Sequence, residues 1–162
     1  MNGVILSPPM YQRLSGPLIF LGGPIKGAPD WQADAIAYLH HRRPALHLAN
    51  PRRDPQEWEF SKAAQADWER HHLKLASDQG VILFWCPGEG VHDCSRPYGQ
   101  TTRFELGEWK VYHEFLGTKL VLGFEEGARG AFYARRRFSL DCPDVPLCST
   151  LEETCNRSLE FL

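Results

Sequence analysis

The sequence lacks the features that mark several classes of protein. No apolar run approaches the roughly 20 residues of a membrane-spanning helix. The stretch at residues 17–21 is far too short, and no basic region with a cleavage site precedes it, so no signal peptide is expected. Cysteine is present but unpaired in pattern: Cys86, Cys94, Cys142, Cys148 and Cys155 are odd in number and contain no C-x-x-C. That usage fits reduced thiols in a cytoplasmic protein better than a disulfide scaffold. Positive charge is not in excess, with 18 Lys and Arg against 20 Asp and Glu. A duplex-DNA binder relying on a broad basic surface is thereby disfavoured, while a small anionic ligand needs only a few local donors. Internal repeats and low-complexity tracts are absent. So are a G-x-G-x-x-G or Walker A loop, a Ser-His-Asp order and a G-x-S-x-G elbow. His92 and Cys94, even with Cys86, have no recognised zinc spacing, and no metal or organic cofactor is expected.

What remains is ordinary globular composition: 162 residues, 43% hydrophobic, 23% charged and 12% aromatic. The length suits one domain. Residues 1–16 carry no clear period and form an irregular lead-in to a single domain over 17–162. Short continuous apolar runs at 17–21, 46–49, 80–85 and 119–122 are strand candidates of the kind covered on both faces. Between them, Asp30 caps a helical pattern through Trp31, Ala35, Ile36 and Leu39. A helical period over about 58–77 runs through Ala64, Trp68, His72 and Leu75, and 101–116 is helical. Residues 128–140 form a helix or a covering loop, 145–148 a short last strand, and 150–162 a helix opened by a Thr150/Glu153 capping box. The alternation implies right-handed crossovers and a parallel sheet with helices on both faces. Such sheets bind ligands beyond the carboxyl ends of their strands, where strand order reverses.

The chemistry-bearing residues lie just after the strands. The loop 22–27, opening with Gly22, Gly23, Pro24 and Ile25, is either a tight turn or a place where backbone approaches a phosphate or sugar. Asn50, Arg52, Arg53 and Asp54 form either a solvated turn stiffened by Pro51 and Pro55 or a ligand-contacting cluster. Asp67, His71 and Lys74 share a helical face, as an exposed set or with Asp67 partly desolvated into a proton donor. Asp78 precedes the strongest strand. The stretch 101–108 is the most informative: Glu105 is either half of a capping box with Thr102, or a first-turn carboxylate whose ionised form the helix dipole favours. Such a carboxylate, aimed at an electrophilic sugar carbon, is a nucleophile. Trp85 and Tyr98 are candidates to stack on a base, or are core.

Together, residues 19–25, 50–54, Trp68 with its helix, 77–85 and above all the Phe-Glu-Leu-Gly segment at 104–107 resemble the nucleoside 2-deoxyribosyltransferase superfamily, in its deoxyribosyltransferase-like branch. The likeness spans most of 17–125. It implies a flavodoxin-like three-layer sandwich with a five-stranded parallel sheet, and a homo-oligomer of two or more copies. It implies N-glycosidic cleavage of 2'-deoxyribonucleosides, with transfer of the deoxyribosyl group to another nucleobase through a covalent glycosyl intermediate on Glu105. Asp78 and Asp67 match the acids that protonate the base or contact the sugar. The glycine loop, Asn50, Arg52, Arg53, Asp54, Thr102 and Arg103 are the substrate-binding candidates within the matching segments, and Trp85 and Tyr98 join them only as rings able to stack on a base. The family's early aromatic residue is replaced by Gly22, Gly23 and Pro24, which leaves transfer and hydrolysis both open. Two alternatives stand beside this reading. One is a nucleoside 5'-monophosphate N-glycosidase using Arg52, Arg53, Arg96 and Arg103 on the phosphate. The other is a nucleotide-binding or sensing module that has lost turnover.

Overall fold

A computed structural model describes residues 3–53 and 61–162. The strands are β1 (Ile5–Leu6), β2 (Leu18–Gly22), β3 (His47–Ala49), β4 (Val81–Cys86), β5 (Leu120–Phe124) and β6 (Leu147–Cys148). The helices are α1 (Trp31–Arg42), α2 (Lys62–Gln79), α3 (Gln100–Leu116), α4 (Ala131–Asp141) and α5 (Leu151–Leu159). The strands form one sheet in the order β1-β3-β2-β4-β5-β6, with every pairing parallel. The architecture is therefore the expected α/β sandwich, compatible with a flavodoxin-like fold, but with six strands rather than five.

The extra strand comes from the segment read as an irregular lead-in. Leu48 N donates to Val4 O (2.9 Å) and Asn50 N to Leu6 O (2.8 Å), adding β1 to the edge of β3. Leu6 is fully buried. Two residues cannot display a period, so only the tertiary pairing reveals this strand.

The central strands are apolar on both sides because both sides are covered. Along β4, Val81, Leu83 and Trp85 join the core beneath α1 and α5. Ile82 and Phe84 join the core beneath α2, α3 and α4. Period-two alternation thus divides one strand between two layers. Three of the described helices start behind a polar cap. Asp30 Oδ1 accepts from Ala33 N (3.2 Å), Ser61 Oγ from Ala64 N (3.1 Å) and Thr150 Oγ1 from Glu153 N (3.1 Å). Glu153 Oε2 accepts in return from Ser149 N at 3.1 Å, one residue before the position a standard box uses. The uncertain stretch after β5 is the helix α4. α2 begins at Lys62, and its buried residues are Trp68, His72, Leu73 and Ala76. Among the described residues, no helix is long and apolar enough to cross a membrane.

From β2 the chain runs outward to β3, then crosses back over β2 to β4. Strand order reverses there, and the carboxyl ends of β2, β3 and β4 diverge into a crevice.

Candidate active site

A cleft of about 1130 Å³ occupies that crevice. Its walls come from the loop after β2, the loop after β3, the N-terminal half of α2 and the first turns of α3. Gly22, Gly23, Pro24, Ile25, Asn50, Arg52, Arg53, Thr102 and Glu105 all line it, as expected. Asp54 lies outside the described residues.

The glycine loop owes its shape to packing below it. A Cβ on Gly22 would fall 2.7 Å from Phe84 Cε1. Gly23 has φ +148°, and a Cβ there would sit 2.8 Å from the Trp31 ring. Trp31 Nε1 donates to Pro24 O (2.9 Å), fixing the turn from beneath. The tight-turn reading therefore holds for these glycines, and the resulting turn also forms a cleft wall.

Glu105 is the sixth residue of α3, which starts at Gln100 behind Gly99. It stands in the second turn rather than the first, where the helix dipole contributes little. The capping box with Thr102 does not form: Gly99 occupies the cap in the left-handed region (φ 64°), with no side-chain cap bond. Glu105 instead turns into the cleft from the core side of α3 and is 9% exposed. Burial, helped by the charges of Glu69 and Glu108, pushes its carboxyl up to about 8. The expectation of a carboxylate held anionic by the helix terminus is corrected by this desolvation.

The acid opposite Glu105 is Glu69, which the sequence reading did not single out. Gln65 Nε2 donates to Glu69 Oε1 (2.6 Å) and to Pro51 O (2.9 Å), tying this part of α2 to the loop after β3. Burial raises Glu69 above the usual carboxylate range, against the opposing effects of the Gln65 hydrogen bond and the Arg53 charge. Asp67 and Asp78 do not line the cleft. Asp67 lies on the outer flank of α2 and is exposed; Asp78 is exposed near the C-terminal end of α2, at the opposite edge of the sheet. Of the two readings of Asp67, the structure has the exposed one, and two flanks border the Trp68 stripe. Asp67 stands on one and Glu69 on the other.

Cations face the two glutamates. Lys26, Arg52, Arg53, Lys62 and Arg96 line the same cleft. Arg52 is built in: its Nε donates to Gln32 Oε1 (3.0 Å) and approaches Asp30 Oδ1 (3.1 Å), and its Nη2 donates to Pro29 O (2.9 Å). Among the described residues, none of these bonds uses Nη1. Arg103 is exposed and leans toward Gly130, outside the cleft.

The two aromatic candidates are structural. Trp85 is 5% exposed and belongs to the core beneath α1 and α5, on the far side of the sheet from α3. Tyr98 donates from its hydroxyl to Pro87 O (2.9 Å), pinning the loop between β4 and α3. The aromatic ring among the described lining residues is that of Phe20. Cys86 sits at the end of β4 with its thiol pushed up to about 12, chiefly by burial, which makes it a poor nucleophile. Among the described residues, no group of three His, Cys, Asp or Glu side chains could hold a metal ion. A smaller hollow of about 360 Å³, lined by His113, Lys119 and Asp144 among others, lies at the amino edge of β5, far from these groups.

No protein-family model matches the chain. A search of curated proteins finds no match either.

Proposed function

We propose that the protein cleaves the N-glycosidic bond of 2'-deoxyribonucleosides or their 5'-monophosphates, with Glu105 as nucleophile and Glu69 as the acid. The observation that carries this reading is the pairing of two desolvated carboxyl groups with several cations in one cleft at the strand-order reversal. The resemblance at residues 104–107 supports the same assignment.

N-glycoside cleavage passes through an oxocarbenium-like state, as glycoside hydrolysis does. The Glu105 carboxylate forms a bond to C1' as the C1'–N bond breaks. The electron pair of that bond leaves with the base, and Glu69 delivers a proton to it. A second base or water then attacks C1' and releases Glu105, giving transfer or hydrolysis with retention. Desolvation suits each partner differently. It keeps Glu69 protonated closer to neutrality, ready to donate. It also strengthens the attraction between ionised Glu105 and the positive sugar, because burial lowers the screening around the carboxylate.

A Glu69→Gln variant should lose roughly 10² to 10⁴-fold in kcat on ordinary substrates. On a 7-methylpurine nucleoside, whose base leaves without protonation, the loss should shrink to a few-fold. An equal loss on both substrates would remove Glu69 from the acid role.

The cations favour the monophosphate among the candidate substrates. Lys26, Arg52, Lys62 and Arg96 give the cleft a positive side that a neutral nucleoside would not use. A charge-assisted hydrogen bond contributes about 1.5–3 kcal/mol. Arg52→Ala should therefore lower kcat/KM for the monophosphate by about 10-fold or more, relative to the nucleoside. A ratio unmoved by this change would point to the nucleoside as substrate. Nucleotide binding with no product after long incubation, Glu105 being intact, would favour the sensing module.

A further inference from the structure

Glu69 is held by Gln65, and the hydrogen bonds of Gln65 can be read in only one way. Gln65 stands one turn earlier on α2 and is half-buried. Its Nε2 donates to Glu69 Oε1 (2.6 Å) and to Pro51 O (2.9 Å). A side-chain amide carries two protons on nitrogen and none on oxygen. The Pro51 carbonyl can only accept, so the nitrogen must face it, and the other amide proton is the one that reaches Glu69. Gln65 Oε1 is buried and has no hydrogen-bond partner among the described residues. An unsatisfied buried acceptor costs stability, and an apolar side chain of similar length would fill the space without that cost. Packing therefore does not account for an amide here. The Pro51 bond fastens α2 to the loop after β3; the shorter bond goes to the carboxyl group.

The direction of the Glu69 bond places the acid proton. Oε1 accepts from Gln65, so the protonated carboxyl carries its hydrogen on Oε2, clear of the amide. When that proton passes to a leaving base, negative charge spreads onto Oε1. The Gln65 bond then becomes charge-assisted, and such bonds are about twice as strong as neutral ones. An interaction that strengthens as the reaction proceeds lowers the barrier, whereas one of constant strength does not. Two charged groups also act around Glu69. Arg53, from the loop after β3, favours its ionised form, and Glu105, from α3, repels that charge. Gln65 is the neutral donor beside them.

We infer that Gln65 is a positioning residue for the cleavage step: it reserves Oε2 of Glu69 for the proton and stabilises the carboxylate left when that proton departs. The inference rests on Glu69 being the acid, and the experiment separates the two.

Gln65→Met keeps the length of the side chain and removes the donor. With circular dichroism unchanged, kcat on ordinary substrates should fall at least ~10-fold. On a 7-methylpurine nucleoside, whose base leaves without protonation, the fall should be about twofold at most. Loss of the amide bond raises Glu69 further, so the falling limb of the pH profile should move to higher pH as the plateau drops. Damage to the fold or to the loop after β3 would instead lower the plateau on both substrates and leave the limb in place. In a Glu69→Gln background, Gln65→Met should cost nothing more, because both changes remove one function. Equal losses on the two substrates, an unmoved limb, or losses that multiply in the double variant would overturn the inference. The role of Glu69 itself is read from E69Q. Equal losses there withdraw Glu69 as the acid and Gln65 with it. An E69Q that spares the 7-methylpurine nucleoside, beside a Q65M that does not, withdraws Gln65 alone.

Discussion

Replacing Glu105 with Gln should abolish glycosidic cleavage and, at the same pH, make the folded protein more stable. Gln fills the same space but can neither attack C1' nor carry the charge that balances the oxocarbenium. A loss of at least about 10³-fold in turnover, equal to about 4 kcal/mol of transition-state stabilisation, is expected from chromatography of the released base. Undiminished release would end the nucleophile assignment. The stability gain has a separate cause. The folded protein holds the Glu105 proton up to about pH 8, whereas the unfolded chain releases it near 4.5. Between those values the unfolded state binds fewer protons, so wild-type stability falls as pH rises through the window and levels off above it. At pH 7 the difference is about 3 kcal/mol. Urea midpoints of wild type and E105Q should coincide below pH 4.5 and separate progressively toward pH 8. Parallel midpoints across that range would mean that the carboxyl is not desolvated.

The same titration governs the rate. Only about a tenth of Glu105 is ionised at pH 7 in the unliganded protein, so ionisation of Glu105 supplies the rising limb of kcat/KM. Loss of the Glu69 proton opposes that climb, and the two limbs belong to the coupled pair rather than to either residue. Because the Glu69 charge helps raise Glu105, Glu69→Gln should move the rising limb to lower pH as well as lowering its height. A limb that stays in place would uncouple the two carboxyl groups.

The sequence was most readable where one signal sufficed. Continuous apolar runs located the four inner strands, polar residues before apolar periods located the starts of α1 and α5, and post-strand position located the glycine loop, Arg52 and Glu105. What it concealed depended on the third dimension. Helical phase placed an acid beside the Trp68 stripe without saying which flank faced the crevice, so Asp67 stood in for Glu69. The Thr102–Glu105 spacing is that of a capping box, yet α3 starts at Gln100 and the spacing has no capping role. Asp78 precedes β4, and the residue before a parallel strand lies at the edge opposite the crevice. Strand direction alone excludes it from the site.

Trp85 shows how far alternation alone could have gone, and it carries the other large expected effect. Along β4, Phe84 points toward α2 and α3 while Trp85 points toward α1 and α5. Glu105 is on α3, so a ring on the opposite layer cannot stack on the base of a substrate whose C1' lies beside Glu105. Trp85 instead pairs in register with Gly123 on β5, and its ring lies over that glycine: a Cβ on Gly123 would fall 2.5 Å from Trp85 Cε3. The glycine is the space the indole fills. Trp85→Ala should therefore cost about 3–5 kcal/mol of stability, read as a fall in the urea midpoint with little change in slope. Nucleotide affinity of the folded fraction, measured well below that midpoint, should change by no more than a few-fold. Stacking would give the reverse, a small stability loss with affinity down 10-fold or more, because an aromatic partner that leaves the base takes its contact energy with it while the core stays filled.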